Sequence, residues 1–385
     1  MRHLRPALLA GAALLAACAD QGPIAPVRAA ADAAPLLAAS PGRGIGGSYV
    51  VVLNQGADPR SVAAVAGVEP RLVYAAALNG FAAALNAGQL EALRHNPNVT
   101  YVEEDQTVEA RATQSSPPWG LDRIDQRNLP LTSSFTYGGT GASVRAYVID
   151  TGIAPALAGF GGRVQNVYDA FGGNGADCNG HGTGVAAVIG STTHGVAKGV
   201  QLRGVRVLDC NGTGTTSGII AAVDWVRLNA QRPAVANMSL GGGASTALNT
   251  AVNNLASSLF TAVAAGHSGS LACNYSPAGA ANAFTTAAST ITDTHMSGSN
   301  YGSCVDGYAP GANIPTLGLN GAVVVRSGTS MAAPHVAGVG VLYLASFPSA
   351  AASTVDSWIK TNATVGVLTG VPAGTPNRLL YKGTL

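Results

Sequence analysis

The feature that most limits the folds open to this 385-residue chain is the alternation, after about residue 140, of short apolar runs with segments of helical periodicity. Residues 144–149, 201–208, 234–238, 260–264 and 284–288 read as strands, each four to eight residues long and apolar. Between them, residues 216–228 set Ile219, Ile220, Val223 and Val226 on one helical face. Residues 330–344 read as another helix, starting at a Gly-Thr-Ser turn with Pro334 in its first turns. Strand and helix in alternation predict an α/β domain: a mostly parallel sheet with helices on both faces. In such sheets functional residues gather at the carboxyl ends of the strands.

The first third of the chain is organised differently. Residues 49–53 form a strand pattern, 60–66 a short helix, 72–85 two strands broken by Asn79-Gly80, 87–94 a helix, and 99–103 a closing strand. That order, β-α-β-β-α-β, is a small ferredoxin-like α+β unit over 48–111. Residues 19–47 are Ala, Pro and Gly with little periodicity and read as a flexible linker. Residues 110–118 read as a second, exposed linker leading into a domain over 112–385. At the N-terminus two arginines precede an apolar run over 7–17. Eleven residues are too few to cross a hydrocarbon core of about 30 Å but suit a signal peptide over 1–18. Leu15-Ala16-Ala17-Cys18 resembles a bacterial lipobox, with ordinary cleavage near Ala17 or Ala19 as the alternative; both predict export.

Composition removes other classes. Only 10% of residues are charged and the net charge is +2, without a run of Lys and Arg, so neither a coiled coil nor a nucleic-acid binder is expected. No segment beyond the signal reaches the length of a membrane span. Four cysteines lie beyond Cys18: Cys178, Cys210, Cys273 and Cys304. In an exported chain they read as two disulfides with three pairings open, and the Cys-x-x-Cys spacing of a zinc site is absent.

Chemistry sits in three short motifs. Ala146-Tyr147-Val148-Ile149-Asp150-Thr151-Gly152 is an apolar strand ending in a carboxylate. Asn179-Gly180-His181-Gly182-Thr183-Gly184 holds a histidine between glycines at a helix start, and Gly328-Thr329-Ser330-Met331-Ala332 places a serine at a helix N-terminus. A serine hydroxyl needs a base to take its proton, and that base needs a carboxylate to fix its tautomer. Any one of these motifs alone is as readily a cap or a turn. Together they run Asp, His, Ser, the triad order of subtilisin rather than the Ser, Asp, His of α/β-hydrolases.

On these motifs residues 112–385 resemble a subtilisin-like serine endopeptidase of the proteinase K and aqualysin branch. Three further segments carry the resemblance: Trp119-Gly120-Leu121-Asp122-Arg123-Ile124-Asp125-Gln126, Gly204 to Gly212, and Asn237-Met238-Ser239-Leu240-Gly241-Gly242. Residues 48–109 are similar to that branch's inhibitor-like propeptide, through Asn79-Gly80-Phe81-Ala82-Ala83 and Tyr101-Val102-Glu103-Glu104-Asp105. The resemblance implies a subtilisin-like fold and a propeptide that acts as chaperone and intramolecular inhibitor before cleavage near 110–113. It implies Ser330 as nucleophile, His181 as general base and acid, and Asp150 as its orienting group. Gly212-Thr213-Gly214 and Ser239-Leu240-Gly241 would be the backbone edges beside a substrate peptide. Ala264-Ala265-Gly266 would line the pocket for the residue before the scissile bond, with broad preference for apolar side chains.

The resemblance further implies disulfides Cys178–Cys210 and Cys273–Cys304, each worth about 3–4 kcal/mol by chain entropy. No catalytic cofactor is implied. Asp122, Asp125 and Gln126, with Thr132 and Ser134, match a structural calcium site of aqualysin-like members. The expected partners are protein or peptide substrates and the chain's own propeptide, the expected state is a monomer, and the expected place is extracellular, with any anchor at Cys18 lost on processing. Three positions depart from the branch. His267 stands where an asparagine amide donates to the oxyanion, and an imidazole N–H has a different reach. Gly184 replaces a second histidine and thins the packing behind His181. Thr290 stands where proteinase K-like enzymes carry an aspartate ligand for their strongest calcium site. These departures leave a second expectation: a catalytically weak or silent peptide-binding surface protein.

Overall fold

A computed structural model describes residues 33–39, 43–108 and 111–385. The signal peptide with Cys18 and most of the 19–47 linker lie outside the described residues. The chain divides into two compact units at about residue 109.

In the first unit the strands are β1 (Leu36–Leu37), β2 (Gly44–Leu53), β3 (Leu72–Tyr74), β4 (Gly80–Ala84) and β5 (Val99–Gln106), with helices α1 (Pro59–Val65) and α2 (Ala87–Arg94). Asp58 caps α1 ahead of Pro59, and Asn86 with Gln89 forms a reciprocal capping box on α2. The sheet order is β1-β5-β2-β4-β3, antiparallel except for β1 on β5. Alternation on β2 and β4 sends Val51, Leu53, Phe81 and Ala83 into one core with Val62 and Leu93. Gly80 is required there, because a Cβ would lie 2.2 Å from the Val51 carbonyl. The linker expected over 19–47 is corrected at its end: Leu36 and Leu37 pair with Val102 and Glu103, Ala34 is buried, and β2 already begins at Gly44. A strand of two residues carries no alternation to read, yet Leu36 and Leu37 can complete an open sheet edge.

The second unit begins with β6 (Ala112–Ser115), α3 (Trp119–Asp125) and β7 (Ser134–Tyr137). The exposed linker expected over 110–118 is thus also corrected: 112–115 is a strand paired antiparallel with β7, though still mostly exposed. There follow β8 (Arg145–Asp150), β9 (Val164–Asp169), α4 (His181–Gly190), β10 (Gln201–Arg206), α5 (Thr216–Asn229), β11 (Ala234–Met238), β12 (Gly242–Gly243), α6 (Thr246–Ala256) and β13 (Phe260–Ala264). The chain continues through β14 (Tyr275–Ser276), β15 (Phe284–Ser289), β16 (Gly307–Pro310), β17 (Ile314–Leu317), β18 (Val323–Arg326), α7 (Thr329–Ser346), α8 (Ala352–Asn362), β19 (Thr364–Val365) and β20 (Arg378–Leu379).

Nine of these strands form one sheet, ordered β19-β20-β16-β15-β13-β11-β8-β10-β9 and parallel except at β19–β20. Both faces are covered. Ala146 and Val148 of β8 pack into a core with α4, α7 and α8, while Tyr147 and Ile149 pack into a second core with α5 and α6. This two-sided burial is why the central strands are continuously apolar. From β8 the chain first lays down the edge strand β9 and fills in β10 beside β8, then returns to add β11, β13 and β15 on the other side. The crevice at the carboxyl end of β8 is therefore a topological switch point. Helix α7 is apolar nearly all round and buried through Leu344, with Gly338 and Gly340 letting Val196 and Phe260 approach its backbone. The fold is a mostly parallel α/β sheet with helices on both faces, as expected, preceded by the small α+β unit. Disulfides join Cys178 to Cys210 and Cys273 to Cys304. No described helix is long and apolar enough to cross a membrane.

Candidate active site

Asp150 closes β8 at the switch point and is fully buried. Its Oδ1 accepts from the Thr151 N–H at 2.7 Å and from His181 Nδ1–H at 2.8 Å. Oδ2 is buried and has no hydrogen-bond partner. A buried carboxylate beside an imidazole favours the imidazole's protonated form. The pKa of His181 is accordingly raised above its ordinary value. The Asp150 charge is the largest cause, opposed by burial and by the Arg326 charge, and reinforced by the hydrogen bond to Asp150 and the Asp177 charge.

His181 is the first residue of α4, and Gly180 before it turns the chain at φ 97°. Gly182 is required by close approach: a Cβ there would meet the Gly152 carbonyl at 2.2 Å. Beneath this turn lies Asp177, which the motifs did not single out. Its Oδ1 accepts from Thr151 Oγ1 and from the N–H groups of Asn179 and Gly180, all at 2.9 Å. Its Oδ2 accepts from Thr183 N–H at 2.9 Å and Thr183 Oγ1 at 2.6 Å. Thr151 Oγ1 in turn accepts from Gly182 N–H. One buried carboxylate thus ties the end of β8 to the first turn of α4, and the only sequence signal for it was an acid ahead of a helix start.

Ser330 is the second residue of α7, where helix N–H groups lack intrahelical acceptors. Its Oγ donates to the Ser239 carbonyl at 3.0 Å, and Ser239 Oγ donates back to the Ser330 carbonyl at 2.8 Å. Asn237 Nδ2 donates to Ser239 Oγ. No hydrogen bond joins Ser330 to His181, yet both line one cleft of about 600 Å³. Gly212, Thr213 and Gly214 line the same cleft, as do Ser239, Leu240 and Gly241. Beside it a pocket of about 310 Å³ holds Ala264, Ala265 and Gly266 together with Tyr275, Ser276 and Ser330, and none of its lining residues is Asp, Glu, Lys or Arg.

His267 also lines that pocket and is exposed. The Cε1–Nε2 edge of its ring is turned onto Gly298, within 2.9 Å of where a Cβ at 298 would sit. Asn300 holds the loop from below, donating to the Ala265 carbonyl and accepting from the N–H groups of Ser268 and Ser270.

The calcium-type residues do not make a cation cradle. Asp125 Oδ1 takes the ammonium of Lys382 at 2.8 Å, and Lys382 is itself buried. The Gln126 amide nitrogen donates to the carbonyls of Asn128 and Pro130, so it turns a donor toward oxygens that a metal would need. Both oxygens of Asp122 accept from the loop, from Thr132 and from Ser133 N–H, while Thr132 and Ser134 bond each other. At Thr290 the neighbours are hydroxyls, and Asp293 beside it is committed to buried Arg123. No group of three or more His, Cys, Asp or Glu suited to a metal occurs among the described residues.

Comparison with known proteins agrees with this architecture. The family model described as "Subtilase family" matches residues 141–379, and that described as "Peptidase inhibitor I9" matches residues 48–111. An "Extracellular serine proteinase" of a Thermus species is 46% identical over 404 residues, covering 97% of this chain and 98% of that one. "Proteinase R" of Parengyodontium album is 40% identical, covering 94% and 96%. A crystal structure of a cold-adapted subtilisin-like serine proteinase superposes with a TM-score of 0.68 at 47% identity, covering 70% of this chain and 99% of that one.

Proposed function

The chain belongs to the subtilase family and is a serine endopeptidase, and on that premise we propose that Ser330, His181 and Asp150 are its nucleophile, base and orienting carboxylate. The observation that carries this is the 2.8 Å bond from His181 Nδ1 to Asp150 in a cleft that Ser330 also lines. In the reaction the Ser330 hydroxyl leaves the Ser239 carbonyl and passes its proton to His181 Nε2 as Oγ bonds to the scissile carbon. Asp150 stays ionised and stabilises the imidazolium. The carbon–nitrogen bond then breaks, the leaving amine takes the proton from His181, and water repeats the cycle on the acyl-enzyme. The Ser330 N–H is one oxyanion donor. Substrate lies as an added strand between 212–214 and 239–241, and the uncharged pocket by Ala264–Gly266 selects apolar side chains broadly.

Residues 1–18 are a signal peptide that exports the chain, 48–111 are a chaperone and inhibitor, and 112–385 are the mature enzyme released by self-cleavage near 110–113. The I9 match and the compact, separately cored first unit support this division. Purified wild-type protein is expected as a fragment of residues 112–385, and Ser330→Ala as the full exported chain. Wild type that stays full length contradicts self-processing.

A second reading, a weak or silent peptide-binding relative, has the His267 ring edge on Gly298 in its favour. Loss of a side-chain oxyanion donor costs about 10²–10³ in rate, a magnitude that belongs to subtilisin itself. His267→Asn decides between the readings: a gain in kcat of tenfold or more marks His267 as a poor donor, whereas an equal or lower kcat shows that the enzyme does not need the asparagine.

A further inference from the structure

Gly184 lies one turn into α4, three residues after His181, and its missing side chain is not an empty space. A Cβ there would meet Arg326 Nε at 3.3 Å, Thr316 Cγ2 at 3.3 Å and Arg326 Cδ at 3.4 Å. The Arg326 side chain therefore lies across the glycine. At its far end Nη2 donates to the Gly180 carbonyl at 3.2 Å and lies 3.3 Å from where a Gly180 Cβ would be. Thr316 Oγ1 fastens the same turn by donating to the Gly184 carbonyl at 2.6 Å. Gly180 and Gly184 thus form a two-point cradle under His181, and one guanidinium fills it.

Arg326 ends β18, and only Ser327, Gly328 and Thr329 separate it from Ser330. The same side chain consequently joins the loop presenting the nucleophile to the helix turn presenting the base. Three charged groups face His181: Asp150 from β8, Asp177 from the loop before α4, and Arg326 from β18. Arg326 is the one cation among them. Its Nε is buried without a hydrogen-bond partner, which leaves the Gly180 carbonyl as the acceptor recorded for this guanidinium.

We propose that Arg326 is a positioning residue for the reaction: lying over Gly184 and holding the Gly180 carbonyl, it fixes His181 relative to Ser330. The proposal rests on the triad reading above, and its test keeps the two apart.

The His181 imidazole is titrated by NMR in Ser330→Ala and in Ser330→Ala/Arg326→Met, where no turnover is needed. Removing the cation raises the His181 pKa, because the Arg326 charge opposes protonation of the imidazole. In the active enzyme Arg326→Met moves the acid limb of kcat/KM upward as well. Arg326→Lys keeps the charge but not the planar fork; it leaves the titration in place and lowers kcat about fivefold or more with little change in KM. An unmoved His181 titration in the Met variant, or an unchanged kcat in the Lys variant, overturns the role of Arg326. A His181 titration that shifts while kcat/KM has no acid limb instead overturns the triad reading and leaves the charge assignment standing. If the Met variant does not fold, the Lys variant decides alone through kcat.

Discussion

At the scale of single residues, the proposed chemistry depends on a balance around one imidazole. Asp150 pulls the His181 pKa up, and burial and Arg326 push it down, with a net rise. A base works only when neutral, so catalysis is lost as pH falls through the raised value. The acid limb of kcat/KM is expected above the ordinary imidazole pKa of about 6.5. Asp150→Asn removes the dominant upward influence and leaves an amide that can impose the wrong tautomer, so it lowers kcat by about 10⁴. A pH–rate profile of wild type with its limb at or below the ordinary value contradicts this account. Buried His335 shows the opposite case, on the same helix as Ser330. Its Nδ1–H donates to the Met331 carbonyl, and burial lowers its pKa to about 4. It stays neutral in the folded protein and takes no part in the proton transfers.

At the scale of elements, residues far apart in sequence are held by buried ions. Asp177 joins β8 to α4, and Lys382 joins the C-terminal tail to α3 by bonding Asp125 Oδ1 and the Leu385 carbonyl, with its backbone N–H on the Ile124 carbonyl. The ammonium takes up Asp125, one of the residues for which the sequence resemblance implied calcium. Stability at α3 is therefore expected not to need calcium: EDTA leaves the melting temperature of Ser330→Ala protein unchanged within about 2 °C. Lys382→Gln leaves half-buried Asp125 without its counter-charge and destabilises by about 2–4 kcal/mol, read as a fall in melting temperature. A large fall in EDTA, restored by calcium, contradicts the assignment of the site to Lys382.

At the scale of the whole molecule, legibility in the sequence followed burial. Ala234–Met238, Phe260–Ala264 and Ala87–Arg94 were readable to the residue, because two-sided burial or a capped periodic helix leaves a strong pattern. β16 and β20 were not, since a strand carrying Gly and Pro and one of two residues show no period. Within the segments read as linkers, Leu36–Leu37, the start of β2 at Gly44 and Ala112–Ser115 are paired strands too short or too rich in Gly to show a period. Asp150, His181 and Ser330 were legible as motifs because each needs a special local backbone. Arg326 and Asp177 were not, because their partners are supplied by the tertiary fold; Arg326 meets the Gly180 carbonyl across 146 residues.

The central claim is that Ser330 is a nucleophile activated by His181. It is tested most directly by treating the mature protein with a fluorophosphonate probe and locating the adduct by mass spectrometry. The account predicts a single adduct on Ser330, absent from Ser330→Ala and strongly slowed in Asp150→Asn. Folded, processed protein that forms no adduct, or carries it on another residue, contradicts it.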